Sequence, residues 1–256
     1  MKQYSKRAGW VSLVVLLMLV MIGVGLSRQN QDQMKTDKVK QEAAYKSSKA
    51  ESLPKTAQLD NPDLRLVNSH YPLKKELSFQ KATYAGQTFD QRIQKPLMAF
   101  LQAARDVGYP ATLVSGYRSI AYQKEVFARQ EEQYLNQGDS EKEAYKKTRA
   151  YIQTPGASEH HTGLAVDIMT DSYWDRTHGL DSESDQEKGQ QWLIRHAPDY
   201  GFVLRYPKSA AAVKQTGIAY ESWHFRYVGL ANAHYMAKHH LTLEEYVQQI
   251  KQAGQN

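Results

Sequence analysis

The sequence predicts an α+β domain in which a small antiparallel sheet is flanked by helices. Three observations carry that expectation. Amphipathic helical stretches dominate the first part of the globular region, short runs of strand length gather in the second part, and the regular strand–helix alternation of a parallel α/β fold is missing. Gln91 to Asp106 places Ile93, Leu97, Phe100, Leu101 and Ala104 on one helical face, and Gly108-Tyr109-Pro110 ends it. Thr112–Val114 reads as a short strand. Ile120 to Gln137 and Glu141 to Tyr151 read as helices, Leu164–Ile168 as a strand and Glu187 to Ala197 as a helix. Gly201–Tyr206 and Ser222–Val228 are further strands, and Leu241 to Gln252 is a closing helix. There is no internal repeat, no P-loop and no GxGxxG.

The chain has 256 residues, 41% of them hydrophobic, which is enough for one sizeable domain with extra segments. It contains no cysteine, so any metal must be held by His, Asp or Glu. The net charge of +6 comes from 33 basic and 27 acidic residues that are well mixed. No arginine-rich stripe with interleaved aromatics is present, so nucleic acid is not an expected partner. The basic balance suits an anionic envelope polymer or lipid surface.

Residues 8–27 contain no charged side chain, and Lys2, Lys6 and Arg7 precede them. About 20 apolar residues span the roughly 30 Å hydrocarbon layer, and the positive-inside bias leaves residues 1–7 in the cytoplasm. The expectation is a single-pass transmembrane signal anchor with the remainder extracellular. A cleaved signal peptide is the rival, although Gly25-Leu26-Ser27 is a poor cleavage site. Residues 28–60 are rich in Gln, Lys, Ser and Asp and read as a flexible tether. The globular domain is expected at 61–256.

The chemistry gathers in two segments. Ser158-Glu-His160-His161-Thr-Gly163-Leu-Ala165-Val-Asp167 puts a histidine and an aspartate seven residues apart with a glycine between them. That glycine permits a tight turn, so a loop ligand and a strand ligand can face one point. Tyr220-Glu221-Ser222-Trp223-His224-Phe225-Arg226-Tyr227 would place Ser222, His224 and Arg226 on one face if extended, with Glu221 just upstream. Two histidines and one carboxylate suit catalytic zinc with a position left for water. Each residue also has a plainer reading. A histidine of the pair can be a hydrogen-bonded surface residue, Asp167 a turn cap and Glu221 a solvated strand-edge charge. Trp223 and Phe225 can simply be core.

In these residues the chain resembles the VanY-type D-alanyl-D-alanine carboxypeptidases, a family that includes L,D-carboxypeptidases. The resemblance runs from about Leu64 to Gln252. It rests on Leu66-Val-Asn68 with Pro72-Leu73, on Ser115-Gly116-Tyr117-Arg118-Ser119 followed by Gln123, and on Ser158-x-His160-x-x-Gly163-x-Ala165-x-Asp167. The last block comprises Leu204-Arg205-Tyr206-Pro207, Thr216-Gly217-Ile218 and Glu221-x-Trp223-His224-Phe225-Arg226-Tyr227-Val228-Gly229. The resemblance implies a zinc carboxypeptidase fold, with Zn²⁺ held by His160, Asp167 and His224. Glu221 would be the general base, and Arg118 would contact the scissile carbonyl or the substrate carboxylate. Gln123 and Ser158 would touch substrate, and His161 would be a bystander. Ser222 stands where the family commonly has proline. The expected activity is removal of the C-terminal D-alanine from peptidoglycan stem peptides, of D,D or L,D type. A peptidoglycan endopeptidase and an inactive wall-binding module are the alternatives, and oligomeric state is unreadable.

Overall fold

A computed structural model of the chain describes residues 51–254. The expected cytoplasmic segment, the span at 8–27 and most of the tether lie outside the described residues. Among those described, no helix is long and apolar enough to cross a membrane. The globular unit is Leu53–Asn256, so the last residues of the expected tether belong to it. Ala57 is fully buried in a cluster with Leu64, Tyr246 and Ile250. Leu53 packs against the same cluster and the Thr56 hydroxyl donates to Oδ1 of Asn232 at 3.0 Å, anchors that a mostly polar composition hid.

After a 3-10 turn at Pro62–Leu64, the first strands form a hairpin of β1 (Lys81–Tyr84) and β2 (Gln87–Asp90). Ala85 and Gly86 both have positive φ, 49° and 79°, which matches the twist of a tight two-residue hairpin turn. Then follow α1 (Gln94–Asp106), β3 (Ala111–Ser115), α2 (Ile120–Asn136), α3 (Glu141–Tyr151), β4 (Ala165–Thr170) and α4 (Asp171–Thr177). The chain continues through α5 (Lys188–His196), β5 (Phe202–Leu204), α6 (Ala210–Thr216), β6 (His224–Tyr227), α7 (Leu230–His239) and α8 (Leu243–Ala253). The strands of the main sheet lie in the order β3-β4-β6-β5, every neighbour antiparallel. The α+β class holds, with helices and strands more interleaved than the sequence suggests.

Side-chain alternation divides this sheet into two chemically different faces. Val166 and Ile168 of β4 and Phe225 of β6 enter a core built on α1, where Leu97, Phe100 and Leu101 are buried. Phe100 stacks on Phe202 and meets Phe225 edge-on, with ring centroids 5.9 and 5.8 Å apart. Burying each such side chain is worth about 1.5–3 kcal/mol, so this face supplies the rigidity. The other face carries Asp167 and His224, directly opposite each other in the β4–β6 register, and then Arg226. Side-chain caps fix the helices around that face. Ser119 accepts from the Tyr122 amide at the start of α2, Ser140 caps α3, and Thr242 and Glu245 form a reciprocal cap on α8.

Candidate metal centre

Asp167 and His224 meet because they are cross-strand neighbours on the polar face, where opposed Cβ atoms lie about 5 Å apart. His160 reaches the same point from a short 3-10 turn, Glu159–Thr162, that ends at Gly163 with φ 69°. A Cβ on Gly163 would crowd the Phe79 ring and the Asp90 amide, so the tight turn needs glycine. One ligand atom from each of His160, Asp167 and His224 can be chosen so that all lie within 4.8 Å of one another. The two imidazoles stand edge to face, centroids 4.9 Å apart.

Hydrogen bonds select the atoms. Nδ1 of His160 lies 2.6 Å from the Gly116 carbonyl and must donate to it. Its Nε2 is left as an acceptor, 2.8 Å from a guanidinium nitrogen of Arg118 and 3.3 Å from Oδ2 of Asp167. Nδ1 of His224 lies 3.1 Å from Oδ1 of Asp167 and 3.5 Å from Oε2 of Glu221. Oδ1 of Asp167 is buried without a hydrogen-bond partner among the described residues. An orphaned carboxylate oxygen between two imidazoles fits a divalent cation.

His161 is excluded by its own bonds. Its Nδ1 donates to the Arg118 carbonyl at 2.7 Å, and its Nε2 accepts the Gly156 amide at 3.0 Å. Both ring nitrogens are occupied in pinning the Arg118 loop to the Gly156 turn. The second histidine of the pair is thus a brace.

Arg118 donates to Ser115 Oγ, to Oε1 of Gln123 at 3.3 Å and to Oδ2 of Asp167 at 2.9 Å. The Gln123 amide also donates to the Gln153 carbonyl at 2.7 Å. Both ends of this buried amide are engaged, so the Gln123 side chain orients Arg118 from beneath the cleft. Ser158 is buried beside His160 and lines the same cleft, whose volume is about 720 Å³. Phe225 is core, as one reading had it, whereas Trp223 packs on Met169 and Tyr173 and also lines the cleft. Ser222, where the resemblance led to an expectation of proline, is tied down by its side chain. Its hydroxyl bonds Ser184 Oγ at 2.7 Å and the Asp181 carbonyl at 3.2 Å, contacts a proline could not make.

Sequence reasoning missed Gly116 and Glu159. Gly116 sits where a Cβ would collide with the Thr88 carbonyl of β2, and its own carbonyl orients His160. Gly116→Ala is expected to destabilise the domain by about 1–3 kcal/mol through overpacking and to weaken zinc binding, checked by thermal unfolding and metal titration. Glu159 lies beneath His224, its carboxylate against Arg205 and Arg226. Its signal was position: a carboxylate adjoining a ligand in a segment that buries.

Burial and charge set the protonation of the cluster. Burial, aided by the Arg118 charge, pushes His160 down to about 4. Burial also pushes the Glu221 carboxyl up to about 8, with Asp167 adding to the effect against the pull of His224. For His224, burial favours the neutral ring, but the carboxylates of Asp167 and Glu159 overcome it and push the ring up to about 9.

A model of the VanY family, described as D-alanyl-D-alanine carboxypeptidase, matches residues 86–230, more than half of the chain. The chain belongs to the VanY family. Over 96% of its length it is 30% identical to the putative carboxypeptidase YodJ of Bacillus subtilis, covering 99% of that protein. It is 32% identical to a D-alanyl-D-alanine carboxypeptidase of Enterococcus faecalis over 72% of this chain and 65% of that one. Among solved structures, a mutant of the vancomycin-resistance D,D-pentapeptidase VanY in complex with Zn(II) superposes with a TM-score of 0.64 and 32% identity. It covers 73% of this chain and 99% of that one. The LD-carboxypeptidase LdcB superposes with a TM-score of 0.58 and 31% identity, over 74% and 88%. The VanY relationship and the donor set agree on zinc as the cofactor.

Proposed function

We propose that this protein is a zinc carboxypeptidase that removes the C-terminal D-alanine from peptidoglycan stem peptides. The observation that carries the proposal is the convergence of His160, Asp167 and His224, with Glu221 3.5 Å from the His224 ring and Arg118 2.9 Å from Asp167. His160 through Nε2, Asp167 through its carboxylate and His224 would hold the metal. Bound zinc supplies the Lewis acidity that makes water a nucleophile at neutral pH. Glu221 takes the proton from the attacking water and returns it to the amine as the C–N bond breaks. Arg118 offers a fixed positive charge where negative charge develops on the carbonyl oxygen, or pairs with the terminal carboxylate. Gln123 holds that guanidinium, and Ser158 offers a hydroxyl to the substrate.

The test is digestion of defined pentapeptide and tetrapeptide muropeptides with and without a chelator. Release of a single D-alanine, abolished by chelation, is expected. Cleavage into larger fragments would favour the endopeptidase reading, and no cleavage would favour a binding module. Outside the membrane is the proposed location, supported by the uncharged run at 8–27 behind three basic residues. Protease added to intact cells should then degrade the domain, and full protection would refute that location.

Zinc affinity should depend on pH with a definite sign. The protonated His224 ring has no free lone pair at Nδ1, so metal must displace a proton. With the ring pushed up to about 9, affinity should rise about tenfold per pH unit from neutrality and level off near that value. His160, pushed down to about 4, competes little in this range. Competition titrations against a zinc dye at several pH values check it, and a flat profile would contradict it.

A further inference from the structure

Behind the metal-ligand face lies a buried group of charges that the proposed chemistry does not use. Glu159 is 1% exposed, and its Oε1 accepts from Nε of Arg205 and Nη1 of Arg226, both at 2.8 Å. Arg205 continues to the Glu244 carboxylate on α8 at 2.9 and 2.6 Å. Arg226 donates to the Asp63 and Arg65 carbonyls at 2.9 Å each. These contacts fix one oxygen of Glu159 and leave the other pointing away from the arginines. That oxygen, Oε2, has no hydrogen-bond partner among the described residues, and neither does Nε2 of His224, which lies 3.9 Å from it. A buried polar atom left unpaired is costly, and a shift of about 1 Å would pair the two.

We infer that Glu159 is a positioning residue for His224: its Oε2 accepts a hydrogen bond from the Nε2–H group, so Nδ1 presents its lone pair to the metal beside Asp167. The inference rests on the zinc reading above. A ligating imidazole generally hands its second N–H to a carboxylate or carbonyl, which fixes the tautomer and raises ligand basicity. His160 does this through the Gly116 carbonyl, and Glu159 completes the pattern for the other ring. The carboxylate is suited to the role. Hydrogen bonds at 2.8 Å from Arg205 and Arg226 hold its Oε1 and leave Oε2 available to accept.

The arginines also make the isosteric change informative. In Glu159→Gln the amide oxygen must face the two guanidiniums, which puts the NH₂ group against His224. Nε2 then has to accept, the proton moves to Nδ1, and the ligand is lost although the shape is kept. Glu244→Gln loosens the far end of the same network without touching His224. Zinc dissociation constants by dye competition should show a 10–100-fold weakening in Glu159→Gln and less than about threefold in Glu244→Gln. Wild-type affinity in Glu159→Gln, or equal losses in both variants, would overturn the inference. Nitrogen-15 spectra of the histidine rings in zinc-loaded wild-type protein give a readout that needs no variant. A protonated Nε2 on His224 is expected, and a protonated Nδ1 would overturn the assignment. Failure of the wild-type protein to bind zinc would instead remove the function proposed above.

Discussion

Glu221→Gln is expected to keep zinc at one ion per chain and to lose about 10²–10⁴-fold in kcat, the range that a positioned acid–base group contributes. Glu221 is buried, and burial pushes its carboxyl up to about 8, so it exchanges a proton close to neutral pH. Zinc bound beside it draws that value down and favours the ionised base. The amide keeps the volume and polarity of the side chain but cannot take a proton from water. KM should change little, because the amide keeps the size of a carboxylate that lies against His224, 3.5 Å away. Wild-type turnover in this variant would remove Glu221 from the proposed role.

The second large effect separates the adjacent histidines. His160→Ala and His224→Ala should each weaken zinc by more than the 10–100-fold that outer-shell changes produce, because each removes a ligand. His161→Ala should stay zinc-loaded. Its loss frees the Arg118 carbonyl and the Gly156 amide, so the expected defect is a looser Arg118 loop, with lower kcat and a lower melting temperature. Metal analysis of the three purified variants checks this. Full occupancy in His160→Ala would contradict the ligand assignment.

The His160–Asp167 and Glu221–His224 segments were each legible as donor-bearing because one glycine turn and strand alternation shape them locally, while joining the two segments into one ligand set came from the family resemblance. The α1 core face was legible for the same reason, since the 3.6-residue periodicity of Leu97, Phe100, Leu101 and Ala104 survives intact. The β1–β2 hairpin was not. β1 is largely exposed, and its turn uses Ala85 at positive φ where Asn or Gly would be the usual signal. The seven-residue α4 and α6 hold barely two turns, too few for periodicity to register. Glu159, Gly116 and the bracing role of His161 depend on contacts across 43 to 67 residues of chain, which no local pattern encodes.

A single metal position between β4, β6 and the 159–162 turn is the centre of the proposed chemistry. Crystals of the domain grown with zinc, measured at the zinc absorption edge, test it directly. One anomalous peak is expected about 2.0–2.2 Å from Nε2 of His160, a carboxylate oxygen of Asp167 and Nδ1 of His224. A peak on His161, a peak elsewhere on the surface, or no peak at this site would contradict it.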